Sequence, residues 1–186
     1  MRRGGGRFAR PCLHTWAKQT DGPLRLVEQA VPKGDPDPKA LACYGVLLRQ
    51  RTQDERSQLR FVDGRPVSAI TEQFLAWCCP RLQEAGVRVW VLIWDNASWH
   101  GRKRVRAWIR DHNRQVKQQG PGVRILPCSL PVKRPWLNPI EPHWVHGKRA
   151  IVEPARLLSA QEVADRVCAY YDGPHDTHLT IPDKAA

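Results

Sequence analysis

Acid is what this chain is short of. Its 186 residues carry 18 Asp and Glu against 30 Lys and Arg, a net charge of +12 and a pI near 10.0. The stretch Met1 to Thr15 has no acid at all. Such a surplus favours a polyanionic partner, nucleic acid first; the plainer alternative is a solvated basic surface kept for solubility. No apolar run reaches the length of a membrane span. Met1-Arg2-Arg3 leads into glycines rather than an apolar core, which argues against a secretory signal. The six cysteines (12, 43, 78, 79, 128 and 168) form no C-x-x-C pair and no regular framework. That pattern argues against a zinc site or disulfide scaffold and points to a reducing cytoplasm. Cys43 and Cys128 lie in apolar runs and are expected to be buried thiols. Internal repeats and low-complexity tracts are also lacking.

What is present is a globular composition. Hydrophobic content is 41% with eight Trp, and the length suits one domain with a sizeable core. Residues 1–23, with Gly4-Gly5-Gly6 and several Arg, read as an irregular basic segment. Leu24 to Val31 is a candidate short strand, and Pro32 to Pro38 a loop in which the prolines defeat helix and ladder alike. Leu41 to Leu48 reads as a strand with Leu59 to Val62 as its antiparallel partner, and Asp63-Gly64 closes the pair. From Pro66 to Gln83 the residues Ile70, Phe74, Trp77, Cys78 and Leu82 fall at helical spacing. Val87 to Trp94 is an apolar, β-branched run that predicts a strand buried on both faces.

A basic helix is expected from about Arg102 to Gln118, with Val105, Trp108, Ile109, His112 and Val116 facing the core. Gly120-Pro121-Gly122 ends it, and Val123 to Pro127 makes another strand. Two helices follow, Pro139 to Ile151 and Ser159 to Tyr171, the second opened by a Ser159/Glu162 capping box. Residues 172–186, punctuated by Pro and Gly, read as a loose tail. This order of elements predicts an α/β fold, hairpin strands feeding a mixed sheet flanked by helices.

Two carboxylates stand out. Asp95 ends the run Val87–Trp94, where open α/β sheets place ligand-binding and catalytic groups; equally, Asp95-Asn96 is an ordinary turn start. Asn138 suits an N-cap with Pro139 in the first helical position, which puts Glu141 at N3. There it can complete a plain capping box or project from the first turn. A strand-end Asp and a helix-start Glu are the pieces of a carboxylate metal site. Mg²⁺ takes oxygen ligands, typically one or two carboxylates with water and phosphate.

Trp94-Asp95-Asn96-Ala97-Ser98-Trp99-His100, followed by Leu137-Asn138-Pro139-Ile140-Glu141-Pro142-His143-Trp144, resembles the DDE transposases of bacterial insertion sequences in the mariner superfamily. The resemblance runs from about Trp16 to about Tyr171. It implies a ribonuclease-H-like fold over residues 24–171 and DNA cleavage and joining with two Mg²⁺ (or Mn²⁺) ions held by three carboxylates. Asp95 then resembles the second acid and Glu141 the third, 46 positions apart (141 − 95). Arg134 stands where relatives carry a small polar residue. The implied partner is DNA, with no membrane, and a homodimer in the transposition complex is consistent with it.

The first acid is the piece without a counterpart. The resemblance puts it on the first strand, just upstream of a Trp that Trp16 resembles, yet no acid precedes Trp16. Asp21, Glu28, Asp35 and Asp37 follow that Trp in turn or loop contexts. The expectation is a catalytic domain lacking or eroding its first strand and its N-terminal helix-turn-helix region, and inactive as it stands.

Candidate phosphate contacts are Arg102, Arg106, Arg110, Arg114, Lys117, Lys133, Arg134, Lys148 and Arg149, each of them equally readable as a charged surface residue. His100 and Asn138 are candidate substrate contacts. His143 and His146 share a helix face without a third ligand, and His175-Asp176-Thr177-His178 reads as solvated polar residues. Two alternatives stay open, a non-catalytic DNA-binding remnant and a nuclease of related fold such as a ribonuclease.

Overall fold

Alternation along two paired strands decides the layers. The computed structural model describes residues 41–50, 53–63, 67–95, 103–131, 137–151 and 158–181. Strand β1 (Ala42–Gln50) pairs antiparallel with β2 (Gln53–Asp63), from Ala42 opposite Val62 to Gln50 opposite Gln53, with an irregularity between Leu48 and Gln50. Side chains alternate between faces in a strand, and here both faces are apolar. Ala42, Tyr44, Leu48 and Val62 enter one core, while Cys43, Leu59 and Phe61 enter a second on the other side. Strand β2 is longer than its apolar residues predict. Asp54, Glu55 and Arg56 are exposed yet extend the ladder, because backbone pairing does not need apolar side chains.

Helix α1 (Ser68–Glu84) covers the first face with Ile70, Phe74, Cys78 and Leu82, all buried. It stops at Gly86, whose φ of +76° a residue with a side chain rarely adopts. The Val87 amide then returns to the Leu82 carbonyl at 2.9 Å. Strand β3 (Val89–Trp94) follows, then α2 (Lys103–Gln119) and β4 (Arg124–Ser129), with β4 parallel to β3 from Val89 opposite Arg124 to Trp94 opposite Ser129. Val105 and Ile109 of α2 are buried as the helical spacing predicts. The Asn113 side chain clamps both backbone groups of Ile125, at 2.8 Å each.

The second face of the β1–β2 pair is covered by α3 (Ile140–Ile151) and α4 (Ala160–Tyr170), through Ile140, Trp144, Ala164 and Cys168. The predicted capping box is formed: the Ser159 hydroxyl accepts from the Glu162 amide, and the Glu162 carboxylate from the Ser159 amide. The result is a mixed α/β architecture with helices on both faces, compatible with a ribonuclease-H-like fold. No described helix is long and apolar enough to cross a membrane. The expected irregular segment 1–23 and the candidate strand 24–31 lie outside the described residues.

Three expectations are corrected. The run Val87–Trp94 buries one face only: Trp90, Leu92 and Trp94 face α1 and α2, while Val89, Val91 and Ile93 stand 48%, 58% and 46% exposed. An apolar run reports composition and not cover, and α3 and α4 lie over β1 and β2 instead. For the same reason Cys128, next to exposed Leu126 on β4, is exposed although Cys43 is buried.

The supposed loose tail is tied down through residue 181. Leu179–Thr180 forms β5, parallel to β2 with Leu179 opposite Val62. The Arg60 guanidinium donates to the Thr177 carbonyl, Arg81 pairs with Asp176 at 3.4 Å, and the Gln73 amide donates to the Thr180 carbonyl at 3.0 Å. Proline and glycine forbid a helix there but not an extended segment held by side chains.

Candidate active site

Asp95 is half-buried and sits immediately after β3, where the parallel ladder ends with the Leu130 amide donating to the Trp94 carbonyl at 2.9 Å. Glu141, also half-buried, lies in the first turn of α3. Its amide donates to the Asn138 backbone carbonyl at 3.0 Å, in the turn that opens the helix. The helix is seated by close contacts. Gly45 of β1 lies so near Trp144 that a Cβ there would be 2.5 Å from Cζ2 and 2.8 Å from Cη2. Behind it the Tyr171 hydroxyl, lodged against Gly147, donates to the His143 carbonyl at 2.8 Å. Gly45 and Tyr171 therefore fix the seat of α3, the helix that carries Glu141. The signal for Gly45 was a glycine inside a strand pattern, a mark of close approach by another group.

Between β1 and β3 runs a slot of about 390 Å³, lined on one side by Gly45–Gln50 and on the other by Val89–Ile93. Asn138, Pro139 and Ile140 line it as well, which places the start of α3 against β3. Glu141 and Asp95 lie one and two residues beyond these linings. Each sheet ends at this slot: β1 pairs only with β2 and β3 only with β4 among the described residues. Asn138 is 3% exposed, and its Nδ2 has no hydrogen-bond partner among the described residues. A buried amide donor left unsatisfied is costly, so the slot holds one unmet polar group beside two unpaired strand edges.

Carboxylates suit a hard divalent ion, and Asp95 with Glu141 fits the donor chemistry of one Mg²⁺ or Mn²⁺. Among the described residues no group of three or more His, Cys, Asp or Glu is arranged to hold a metal. No counterpart of the first acid joins Asp95 and Glu141 among the described residues.

Of the candidate DNA contacts, Arg106, Arg110, Arg114 and Lys117 are exposed on α2, Arg114 being engaged with Asp111 at 3.1 Å. Lys148 and Arg149 are exposed on α3. His100, Arg102, Lys133 and Arg134 lie outside the described residues. His143 turns its Nε2 to Glu55 of β2 at 3.6 Å, which accounts for it without a metal. The residues that sequence reasoning passed over are His175 and His178. Far from being merely solvated, they meet each other and two carboxylates.

The family profile described as DDE superfamily endonuclease matches residues 49–163, a span that includes both Asp95 and Glu141. No curated protein and no solved structure matches the chain. Superfamily members generally use divalent metals. With more than half of its length matched, the chain belongs to the DDE superfamily endonucleases, domains of the nuclease and transposase type.

Proposed function

We propose that this chain is the later part of the catalytic domain of an insertion-sequence transposase of the mariner superfamily, a domain that cleaves and rejoins DNA. On this reading Asp95 and Glu141 are its second and third metal-binding carboxylates, and the 186 residues alone do not cut. The observation that supports it is an Asp directly after one strand and a Glu in the first turn of a helix whose lead-in lines the slot beside that strand. The ions, when bound, activate the attacking oxygen and stabilise the leaving one in phosphodiester displacement. The chain's own part is to hold two oxygen donors on the ends of packed elements and to bring DNA to them.

Arg106, Arg110, Arg114 and Lys117 form one basic helix face for the phosphate backbone, with Lys148 and Arg149 near Glu141 and Arg102, Lys133 and Arg134 as further contacts. His100 is assigned to the substrate. Asn138 is too buried to reach DNA by itself, and its unmet amide favours a partner entering the slot. That partner would be a further strand, paired along the edges of β1 and β3 that no described strand occupies and carrying the first acid next to Asp95. Without that acid one of the two reacting oxygens lacks stabilisation, and the barrier rises accordingly.

The test is nicking of supercoiled plasmid with Mg²⁺ or Mn²⁺, comparing the chain with its Asp95→Ala variant. Equal, background-level nicking is expected. Nicking that disappears in Asp95→Ala overturns the inactivity and shows that an acid elsewhere in the chain completes the site. A basic face that binds DNA while nicking stays at background fits the non-catalytic reading as well, which differs from this one in binding no metal at Asp95 and Glu141.

A further inference from the structure

Arginines gather on one face of β2 around a single ion-paired acid among the described residues. Alternate residues of a strand share a face, and Arg56, Gln58 and Arg60 fall on the face of β2 whose Val62 enters the core under α1. There Trp77 of α1 carries two guanidinium groups, Arg81 Cζ at 4.1 Å and Arg60 Cζ at 5.1 Å from a ring centroid. The carboxylate that answers them is Asp176, 3.4 Å from Arg81. Glu55 belongs to the other face of β2, where Arg49 at 2.5 Å and His143 at 3.6 Å hold it.

Beside these arginines the sheet opens. Strand β5 joins β2 only at Val62 and Asp63, and a cleft of about 540 Å³ separates Arg56–Leu59 of β2 from Asp172–Pro174. Trp77 and Arg81 line it from α1, and Tyr170, 44% exposed, lines it from the end of α4. Asp172, the acid on its far side, is exposed to water. Gln58 Oε1 and Arg60 Nε are buried without a hydrogen-bond partner among the described residues. Arg60 as a whole is 8% exposed, and its terminal nitrogen already donates to the Thr177 carbonyl. Burial holds its pKa below the usual value; Asp176 opposes this and Arg81 adds to it. An unmet buried donor and two neighbouring cations are both relieved when an anion approaches.

We propose that this cleft takes an unpaired nucleotide of a nucleic-acid strand, its phosphate on Arg56 and Arg81 and its base against Tyr170. Guanidinium presents a planar fork of donors that matches phosphate oxygens. A basic groove with an exposed aromatic ring beside it holds single strands irrespective of sequence. The volume suits one small ligand, and chain on both sides of the cleft admits a strand and not a duplex. The net charge of +12 draws a polyanion to the molecule as a whole. The cleft lies along the outer edge of β2, whereas the slot near Asp95 and Glu141 lies beyond β1. The proposal is therefore independent of the metal-site reading.

The experiment is fluorescence anisotropy of a labelled oligothymidylate of about ten nucleotides, on the full chain carrying Arg106→Ala and Arg110→Ala to silence the α2 face. Arg81→Gln should weaken binding about tenfold or more, and Tyr170→Ala about fivefold or more. Arg56→Ala should weaken it as well. A blunt duplex of the same length should bind equally with and without Tyr170→Ala. Should Arg81→Gln disturb the C-terminal segment, Arg56→Ala and Tyr170→Ala, both at exposed positions, decide. Affinity unchanged by Arg56→Ala and Tyr170→Ala, or a duplex that loses as much as the single strand in Tyr170→Ala, overturns the proposal. A poly-glutamate peptide that binds with the same dependence on Arg81 and Tyr170 overturns it in favour of an acidic protein segment. Inorganic phosphate that binds through Arg81 while the oligonucleotide does not overturns it in favour of a free anion.

Discussion

Replacing Gly45 by alanine tests how firmly α3, and Glu141 with it, is held on the sheet. The new Cβ would stand 2.5 Å from Trp144 Cζ2 and 2.8 Å from Cη2, and 3.6 Å from the Gln58 carbonyl oxygen. Comfortable carbon contacts begin at about 3.5 Å, so the indole must retreat by about 1 Å. Trp144 is buried between Gly45 and Tyr171, with Tyr171 ring to ring at 5.3 Å, so the helix has to move with it. Overpacking of this kind costs about 1–3 kcal/mol. Removing a glycine from the unfolded chain returns about 0.4–1 kcal/mol, since no positive φ opposes a side chain here. The net loss is about 1–2 kcal/mol. At about 2–4 °C per kcal/mol for a chain of this size, the melting temperature should fall by roughly 2–8 °C.

Thermal unfolding followed by circular dichroism reads the shift, and a second substitution assigns it. Trp144→Phe removes the outer indole ring and also the Nε1 donor, which is buried without a hydrogen-bond partner among the described residues. In that background the Gly45→Ala penalty should shrink by about 0.5 kcal/mol or more, the coupling expected of residues in direct contact. An unchanged melting temperature for Gly45→Ala, or an equal penalty with and without the indole, would refute the seating of α3 through this contact.

The basic face of α2 should give salt-sensitive, sequence-independent DNA binding. In a salt titration of duplex binding, Arg106→Ala with Arg110→Ala should lower the slope of log K against log salt by about 2, whereas Arg114, already paired with Asp111, should contribute less. Burial pushes the Cys79 thiol up to about 11 from 9.0. Its contribution to stability is therefore complete below pH 9 and lost as pH rises through about 11, so urea unfolding measured across that range should show a smaller loss of stability for Cys79→Ser than for the unaltered chain. Alkylation at pH 8 followed by peptide mass mapping should modify exposed Cys128 well before buried Cys43, Cys78 and Cys79; prior modification of Cys79 would contradict its burial.

What was legible in the sequence was periodic or capped. Ile70, Phe74, Cys78 and Leu82 report a helix because one side of it is buried, and the Ser159/Glu162 box announces its own helix. Asp95 and Glu141 could be assigned to a strand end and a helix start because the apolar run stops at one and Asn138-Pro139 opens the other. Cover was not legible. Nothing in Val89, Val91 and Ile93 tells which face the helices choose, since that depends on where α3 and α4 pack. The ordered path of residues 173–181 was missed because Arg60, Gln73 and Arg81 lie about 95–117 positions away along the chain. The His175–His178 pair was missed for the same reason: its aspartates belong to α4 and β2.

The central claim is that Asp95 and Glu141 share one divalent ion. Mn²⁺ binding, read from the EPR signal of the free ion, tests it on the full chain, Asp95→Asn, Glu141→Gln and the double variant. A shared ion predicts that each single substitution weakens binding and that the double variant is little weaker than the worse of the two, because ligands of one ion are strongly coupled. Losses that add independently, or Mn²⁺ affinity unchanged by either substitution, would contradict the account.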